Sequence, residues 1–396
     1  MDRNRLRTGF SALLPIFLLI LLLLVFLKYG PLGVFKASVP PIEEVFIQKV
    51  TFSPEHIVLD IINDGPEPVT IAQILVNEVY WQFQMKPSQT LKPLERGRID
   101  ISYPWVEGDV ERITLVSRNG VTFETEVDVA TVTPVFSFLY FKSFVLLGVY
   151  VGVIPVLLGL MWFPFLVTLR GKGYAFLLAL TVGLLVFLGF DALSESFNLL
   201  KDVPESFNGV GIIVIGLLLS ILALSAVSYK TQHQRREKGE HYQALVWGYL
   251  IALGIGLHNL GEGLAIGSAY AIGEIALGST LVIGFMIHNV TEGVAIVAPL
   301  TRTYQHINRF LIHLIMMGLL AGAPTILGTL IGGFAYSAAI AVLFLSIGAG
   351  AIFDVAFDIL NHMAKGKWLE IFTVTNALGF LSGLLVMYVT GFLVVG

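Results

Sequence analysis

The segment Leu250–Leu300 reads LIALGIGLHNLGEGLAIGSAYAIGEIALGSTLVIGFMIHNVTEGVAIVAPL and contains one short phrase twice. The first copy is His258-Asn259-Leu260-Gly261-Glu262-Gly263, and the second is His288-Asn289-Val290-Thr291-Glu292-Gly293. Ionisable side chains inside apolar segments are costly, and they usually pair, face a cavity or mark an ion path. We therefore expect the rest of the chain to hold these two phrases together.

The composition identifies a membrane protein. Of 396 residues, 56% are hydrophobic and 13% are charged, whereas soluble domains carry roughly 25% charged residues. The formal net charge of −4 gives no indication of nucleic-acid binding. The chain has no cysteine, so any metal must be held by imidazole, carboxylate, amide or water.

Residues 1–30 are predicted to be a basic cytoplasmic tip followed by a transmembrane signal anchor. The apolar run from Gly9 to Leu27 is longer than the ~7–15 residues of a signal-peptide core, although a cleaved signal peptide is the alternative. The basic residues Arg3, Arg5 and Arg7 place the N-terminus in the cytoplasm and the following domain outside.

Residues 40–132 are predicted to form a small extracytoplasmic β-sandwich. Apolar and acidic side chains alternate along Val121–Val129, and Asn119-Gly120 and Asn63-Asp64-Gly65-Pro66 are turn signals. Roughly seven short strands fit this length, as in β-sandwiches. An immunoglobulin-like topology is a hypothesis, because the Cys-Trp-Cys signature is missing. The domain has no catalytic constellation, and His56 is interpreted as a surface residue.

The region 136–396 is predicted to be a bundle of eight helices, each with the ~20 apolar residues needed to cross the hydrocarbon. We expect them at residues 136–168, 174–198, 208–229, 244–271, 276–300, 308–333, 338–363 and 369–394. The fold class is thus an α-helical multi-pass membrane bundle, preceded by one anchor and a small all-β domain.

Basic residues in the connections predict the orientation in the cell membrane. They occur in every second connection, in Arg170-Gly171-Lys172, in Lys230–His241, at Arg302 and Arg309, and in Lys365-Gly366-Lys367. Because positive residues concentrate in cytoplasmic loops, the C-terminus is expected outside. The connection Lys230–Tyr242, which carries His233 and His241, is interpreted as a solvated linker rather than a weak metal site.

Helical spacing makes each phrase a set of potential metal ligands. His258 and Glu262 are four residues apart and so share a helix face, as do His288 and Glu292, with Asn259 and Asn289 on the adjacent stripes. Imidazole with carboxylate suits Zn, Fe, Mn or Co. The alternative is a mutual hydrogen bond within each His–Glu pair, but the duplication favours a metal site.

Two further polar groups are candidates for an ion pathway. Asp191 and Glu195, four residues apart near the outer end of the second segment, could form an acidic vestibule or a solvated helix end. Asp354, Asp358 and His362 share one stripe of the seventh segment and could line a path or form an interhelical hydrogen-bond seam.

Glycine pairs at spacing four predict close helix packing, and a homodimer is a further hypothesis. These pairs are Gly263 with Gly267, Gly318 with Gly322, and Gly328 with Gly332.

The order of the segments and the doubled HN-x-x-EG phrase resemble the ZIP family of divalent metal transporters, especially its prokaryotic members, over residues 136–396. The resemblance implies a mid-membrane metal site on the fourth and fifth helices and movement of metal toward the cytoplasm. It assigns His258, Glu262, His288 and Glu292 to a first site. It also implies that Asn259 and Asn289 join Glu262 and Glu292 at a second.

The chain departs from the family pattern at three positions. Gly261 and Thr291 replace the usual proline; glycine still permits a kink, and threonine can bend a helix by bonding back to a carbonyl. Ala323 stands before Pro324 where a glutamate ligand is common. We therefore expect one strong site and a second that is weak or absent.

The expected function is transport of a divalent transition metal, with Zn²⁺ as the main substrate and Fe²⁺ or Mn²⁺ as alternatives. A non-transporting metal-binding receptor or assembly protein is the rival, with an unknown partner for the β-domain. An intramembrane metalloprotease is disfavoured because no His-Glu-x-x-His sequence occurs. We expect no enzyme activity and no organic cofactor.

Overall fold

A computed structural model describes residue 14 and residues 16–25, 42–271, 275–301, 310–335, 337–364 and 367–395, apart from the side chains of 228–238, 240, 275–277, 370 and 392–395. The chain divides after Ile42 into two units. In the first unit, helix α1 (Ile16–Val25) is apolar, as the anchor prediction requires. The remainder of the predicted anchor lies outside the described residues.

Two antiparallel sheets follow within residues 45–127. Their strands are β1 (Val45–Ser53), β2 (His56–Asn63), β3 (Val69–Val76), β4 (Val79–Trp81), β5 (Phe83–Lys86), β6 (Thr90–Leu91), β7 (Arg96–Ser102), β8 (Glu111–Ser117) and β9 (Thr122–Val127). One sheet has the order β1-β2-β7-β5 and the other β4-β3-β8-β9, with β6 beside β3. Buried isoleucine, leucine and valine side chains of both sheets form one core.

The predicted strand patterns are found where the alternation was clearest. In β9, Phe123 is partly buried whereas Glu124 and Glu126 are exposed. Gly120 has φ of 86° in the turn between β8 and β9, a conformation that glycine adopts at little cost. Within residues 45–127 the structure has nine strands where about seven were predicted, and three of them are short, since β4, β5 and β6 have only three, four and two residues. His56 is half-exposed and contacts Asp100 at 2.8 Å, so its assignment to the surface is confirmed.

The described residues from Phe138 onward are mainly helical. The helices are α2 (Phe138–Gly148), α3 (Ile154–Leu160), α4 (Phe163–Leu166), α5 (Lys172–Asn198), α6 (Gly209–Ala271), α7 (Ile275–Val297), α8 (Leu311–Gly322), α9 (Pro324–Ala335), α10 (Ala338–Ala364) and α11 (Val374–Val395). Among the residues that the structure describes, eight helical segments are long and apolar enough to cross a membrane, within a few residues of the predicted positions. The structure therefore confirms a helical membrane bundle preceded by a β-sheet domain.

At three places the described helices depart from the predicted pattern of separate, regular helices. A π-helical turn at Val149–Val153 joins α2 to α3, and the sixth segment breaks at Ala323 between α8 and α9. The connection between the third and fourth segments, interpreted from the sequence as a solvated linker, has a helical backbone. The backbone stays helical through α6 except at Gly239, which has φ of 80° and ψ of −175°.

Glycines let the helices approach until backbones touch. A Cβ atom on Gly263 would lie 2.4 Å from the Thr325 carbonyl oxygen, and one on Gly328 would lie 2.2 Å from the Leu260 carbonyl oxygen. On the other side of the bundle, a Cβ on Gly383 of α11 would lie 2.2 Å from the Leu180 oxygen of α5. The glycine pairs therefore serve packing within the chain, as predicted, and give no separate signal for a dimer.

The β-domain is hydrogen-bonded to the connection between α5 and α6. The carboxylate of Asp64 accepts from the backbone N–H of Glu205 at 2.6 Å, from that of Ser206 at 3.2 Å, and from the Ser206 hydroxyl. Asn63 holds the turn in place because its buried amide donates to the Leu91 carbonyl at 3.0 Å. We call this contact the Asp64 clamp.

A test of the packing uses two glycines of α11. Replacing Gly383 with alanine should lower thermal stability in detergent by about 1–3 kcal/mol, because the new methyl group would overlap backbone atoms. The matched control is Gly391→Ala, since a Cβ on Gly391 meets nothing within 4 Å. Equal melting temperatures for both variants would contradict this packing.

A second test concerns charge beside the Asp64 clamp. Burial first, and then the carboxylates of Glu205 and Asp64, raise the pKa of Glu44. Because the pKa of Glu44 is raised in the folded state, the protonated side chain favours folding relative to the ionised one. This contribution to the free energy of unfolding is present at low pH and is lost as the pH rises through the folded-state pKa. Glu44→Gln should therefore raise the melting temperature by about 1 °C near pH 7.5, with no difference near pH 4. The exposed Glu67→Gln is the control, and an equal rise at both pH values would exclude this explanation.

Candidate metal centre

The two phrases face each other across the contact between α6 and α7. All six polar side chains are buried, none more than 4% exposed, namely His258, Asn259, Glu262, His288, Asn289 and Glu292. Gly261 keeps helical backbone angles, and the Leu345 side chain of α10 occupies the space beside it. The Thr291 hydroxyl donates back to the His288 carbonyl at 2.6 Å, as expected of a threonine in place of proline.

The imidazoles and carboxylates lie close enough to share an ion. His258 Nε2 lies 3.4 Å from Glu262 Oε1, and His288 Nε2 lies 3.8 Å from Glu292 Oε1. Ligand atoms of His258, Glu262 and His288 all lie within 4.8 Å of one another. Since Zn–N and Zn–O bonds are about 2.0–2.2 Å, these atoms need to converge by only about 1 Å to bind one ion.

The two asparagines are anchored through their amide N–H groups. Asn259 Nδ2 donates to Glu292 Oε2 at 3.0 Å and to the Ala321 carbonyl at 3.2 Å. Asn289 Nδ2 donates to the Val151 carbonyl, in the π-helical turn, at 3.0 Å. With the amides oriented by these hydrogen bonds, both Oδ1 atoms are left available as ligands.

Hydrogen-bond partners are lacking for much of this cluster. Among the residues that the structure describes, eight of its buried atoms have none: His258 Nδ1 and Nε2, Asn259 Oδ1, Glu262 Oε1 and Oε2, His288 Nε2, Asn289 Oδ1 and Glu292 Oε1. Each unpaired buried polar group costs about 1–3 kcal/mol. A divalent cation would satisfy several of these atoms at once, so the donor set fits a transition metal.

The predicted acidic vestibule lies near this cluster. Asp191 and Glu195 are exposed on α5, and both carboxylates interact electrostatically with His258. An exposed carboxylate that also lies near a metal-binding side chain can attract a cation toward that side chain.

The predicted stripe on α10 begins near the cluster and leads away from it. Gly348 packs against the backbone of His258, and Asp354 lies about 9 Å further along the helix at 1.5 Å per residue. Asp354 accepts from the Ser225 hydroxyl at 2.7 Å. Near the end of α10, the rings of His362 and Trp247 are 4.6 Å apart. Asp358, which lies between Asp354 and His362 on α10, is half-buried.

Sequence reasoning missed three groups around the site. The carbonyls of Val151 and Ala321 anchor the asparagines, and the buried Thr325 hydroxyl has no hydrogen-bond partner among the described residues. A carbonyl carries no sequence signal. Thr325, however, directly follows Pro324, where the resemblance had already drawn attention to the missing acid.

Comparison with known proteins gives little further information. No protein-family model matches the sequence, and no curated protein does. Among solved structures, the archaellum periplasmic stator protein FlaG from Sulfolobus acidocaldarius is similar at 16% identity and a TM-score of 0.20, covering 22% of this chain and 99% of FlaG. A likeness at this level carries no argument about the fold or the metal centre.

Metal binding to purified protein tests the cluster. Zn²⁺ at a hundredfold excess over its Kd should stabilise the folded chain by about 2–3 kcal/mol, measured as a rise in melting temperature. His258→Ala and His288→Ala should each abolish most of this rise, because they remove ligands from the compact group. His56→Ala in the β-domain is the matched control. An undiminished response in both site variants would exclude this centre.

Proposed function

We propose that the chain is a membrane transporter that carries a divalent transition-metal ion toward the cytoplasm. Zn²⁺ is the proposed main substrate, with Fe²⁺ and Mn²⁺ as alternatives. The observation that carries the proposal is the doubled, buried His/Glu/Asn set, whose unpaired atoms converge between two membrane-spanning helices. The resemblance of the sequence to the ZIP family agrees with this function.

The charge of the site suits a divalent cation. Two carboxylates and two neutral imidazoles offer up to two negative charges and four ligand atoms, which matches an ion of charge +2. Imidazole nitrogen favours Zn²⁺ and Fe²⁺, whereas carboxylate and amide oxygens suit Mn²⁺ better. An uncompensated charge buried at this depth would be expensive, so ion and carboxylates neutralise each other.

A route on both sides of the site supports transport rather than storage. The carboxylates of Asp191 and Glu195 would collect the ion and begin to replace its water. The ion would leave along the stripe of Asp354, Asp358 and His362 on α10. These side chains succeed one another at one-turn intervals, so each transfer would cover roughly the 5.4 Å pitch of a helix.

Irregular helices beside the site support alternating access. The π-helical turn Val149–Val153 and the break at Ala323 both lie in segments whose carbonyls anchor the site asparagines. π-helical turns are frequent at functional sites, and breaks are where helices bend. Bending there would move Asn259 and Asn289 relative to the imidazoles.

The proposed orientation follows the basic connections. The N-terminus and the basic connections face the cytoplasm, and the β-domain and C-terminus lie outside the cell membrane. The β-domain is proposed to be an immunoglobulin-like sandwich. Lettered in chain order, with β6 left out, its sheets read A-B-E-D and C′-C-F-G, which is the strand pairing of that fold. Its partner is not specified by this geometry.

A non-transporting metal-binding receptor is the second candidate. Ala323 supplies no carboxylate at the break between α8 and α9, and the Asp64 clamp joins the β-domain to the bundle. Such a protein would bind metal with the same residues and pass the signal to a partner outside. Transport measurements separate the two candidates.

Uptake by vesicles containing the full-length protein tests transport. His258→Ala and Glu292→Ala should each reduce uptake of Zn²⁺, Fe²⁺ and Mn²⁺ by at least about tenfold, because they remove ligands. Uptake by the unaltered protein should fall as the pH drops below about 6.5, since imidazole must be deprotonated to bind metal.

His56→Ala should transport normally. Unchanged uptake in both site variants would overturn the transporter proposal. Binding of Zn²⁺ without any uptake by the unaltered protein would instead favour the receptor.

A further inference from the structure

Thr325 occupies an unusual environment for a helical threonine. It is fully buried in the first turn of α9, and its hydroxyl has no hydrogen-bond partner among the described residues. Threonine in a helix commonly bonds back to the carbonyl four residues earlier. For Thr325 that carbonyl is Ala321, which already accepts from Asn259 Nδ2 at 3.2 Å. The site asparagine thus donates to the carbonyl that a threonine at this position commonly uses, whereas the Thr325 hydroxyl makes no hydrogen bond to it among the described residues.

Thr329, one turn later on the same helix, shows the ordinary arrangement. It is equally buried, and its hydroxyl lies 2.8 Å from the Phe144 carbonyl and 3.0 Å from the Ile326 carbonyl. The free hydroxyl of Thr325 is therefore a property of its position rather than of threonines in this helix.

Gly152 packs closely against the Thr325 hydroxyl, an approach that only a residue without a side chain permits. A Cβ atom on Gly152 would lie 2.2 Å from Thr325 Oγ1 and 2.4 Å from the Gly322 carbonyl oxygen. The preceding residue, Val151, receives the amide of Asn289 at 3.0 Å. The Thr325 hydroxyl thus sits next to the anchoring points of both site asparagines.

We propose that Thr325 Oγ1 is a further, specificity-determining ligand on the asparagine side of the metal centre. This inference rests on the proposed function. With Asn259 Oδ1 and Asn289 Oδ1, the hydroxyl forms an uncharged half of the site that offers only oxygen. The other half offers the nitrogens of His258 and His288. Ions that prefer oxygen, such as Mn²⁺, depend on the first half, whereas Zn²⁺ depends on the second.

An unpaired buried hydroxyl destabilises the protein when no ligand is bound. Thr325→Val keeps the shape of the side chain and removes the hydroxyl. The metal-free variant should therefore melt at a higher temperature than the unaltered protein. Its Kd for Mn²⁺ should rise by about tenfold, while its Kd for Zn²⁺ changes by less than about threefold, because zinc binds mainly to imidazole. Thr325→Ser should restore binding of Mn²⁺.

The experiment titrates full-length protein in detergent with MnCl₂ and ZnCl₂ and follows the melting temperature. The matched control is Thr329→Val. It should lower the melting temperature, because it breaks the hydrogen bonds to Phe144 and Ile326, and leave the ratio of the two Kd values unchanged. If Thr325→Val does not fold, Thr325→Ala replaces it, with the same expected loss of Mn²⁺ affinity relative to Zn²⁺.

An unchanged ratio of the two Kd values in Thr325→Val would overturn this inference and leave the metal centre intact. If the unaltered protein binds neither ion, the proposed function itself fails. The two failures are therefore distinguishable in one set of titrations.

Discussion

A polar atom buried among apolar helices needs a partner inside the protein, because hydrocarbon provides none. Most of this bundle obeys that constraint within single helices. The hydroxyls of Thr181, Ser196 and Ser346 each donate to the carbonyl four residues earlier in their own helix. Among the residues that the structure describes, most of the buried side-chain atoms without a partner belong to the doubled phrase and its neighbour Thr325. Such a concentration of unpaired atoms is costly, and binding of a cation is what would offset it.

Close backbone contact is the second condition for this site. Side chains from two helices can share one ion only if both helices are held in place, and here glycines fix each ligand-bearing helix against a different neighbour. Gly293, directly after Glu292, packs on Gly159 of α3, and Gly263, directly after Glu262, packs on Gly328 of α9. Each carboxylate is thus fixed by a glycine contact at the next residue. The small residues of the phrase position its ligands.

Hydropathy and short-range spacing predicted the helical segments and the six side chains of the candidate site, since both signals are local. The helical course of residues 230–238 was missed, although lysine, glutamine, arginine and glutamate there are good helix formers. The roles of Thr325 and Val151 could not be read from the sequence, because they depend on contacts between distant residues. Strands as short as β4 to β6 give no clear sequence signal, because alternation cannot be recognised over two to four residues.

The Asp64 clamp couples movement of the β-domain to the helical bundle. Asp64 belongs to a turn held rigidly by Asn63, and Glu205 and Ser206 belong to the short connection that follows α5. A rotation of the sandwich must either break three hydrogen bonds or pull on the end of the helix that carries Asp191 and Glu195. Mechanical load on the β-domain would therefore reach the segment that carries Asp191 and Glu195 without any change at the proposed metal ligands.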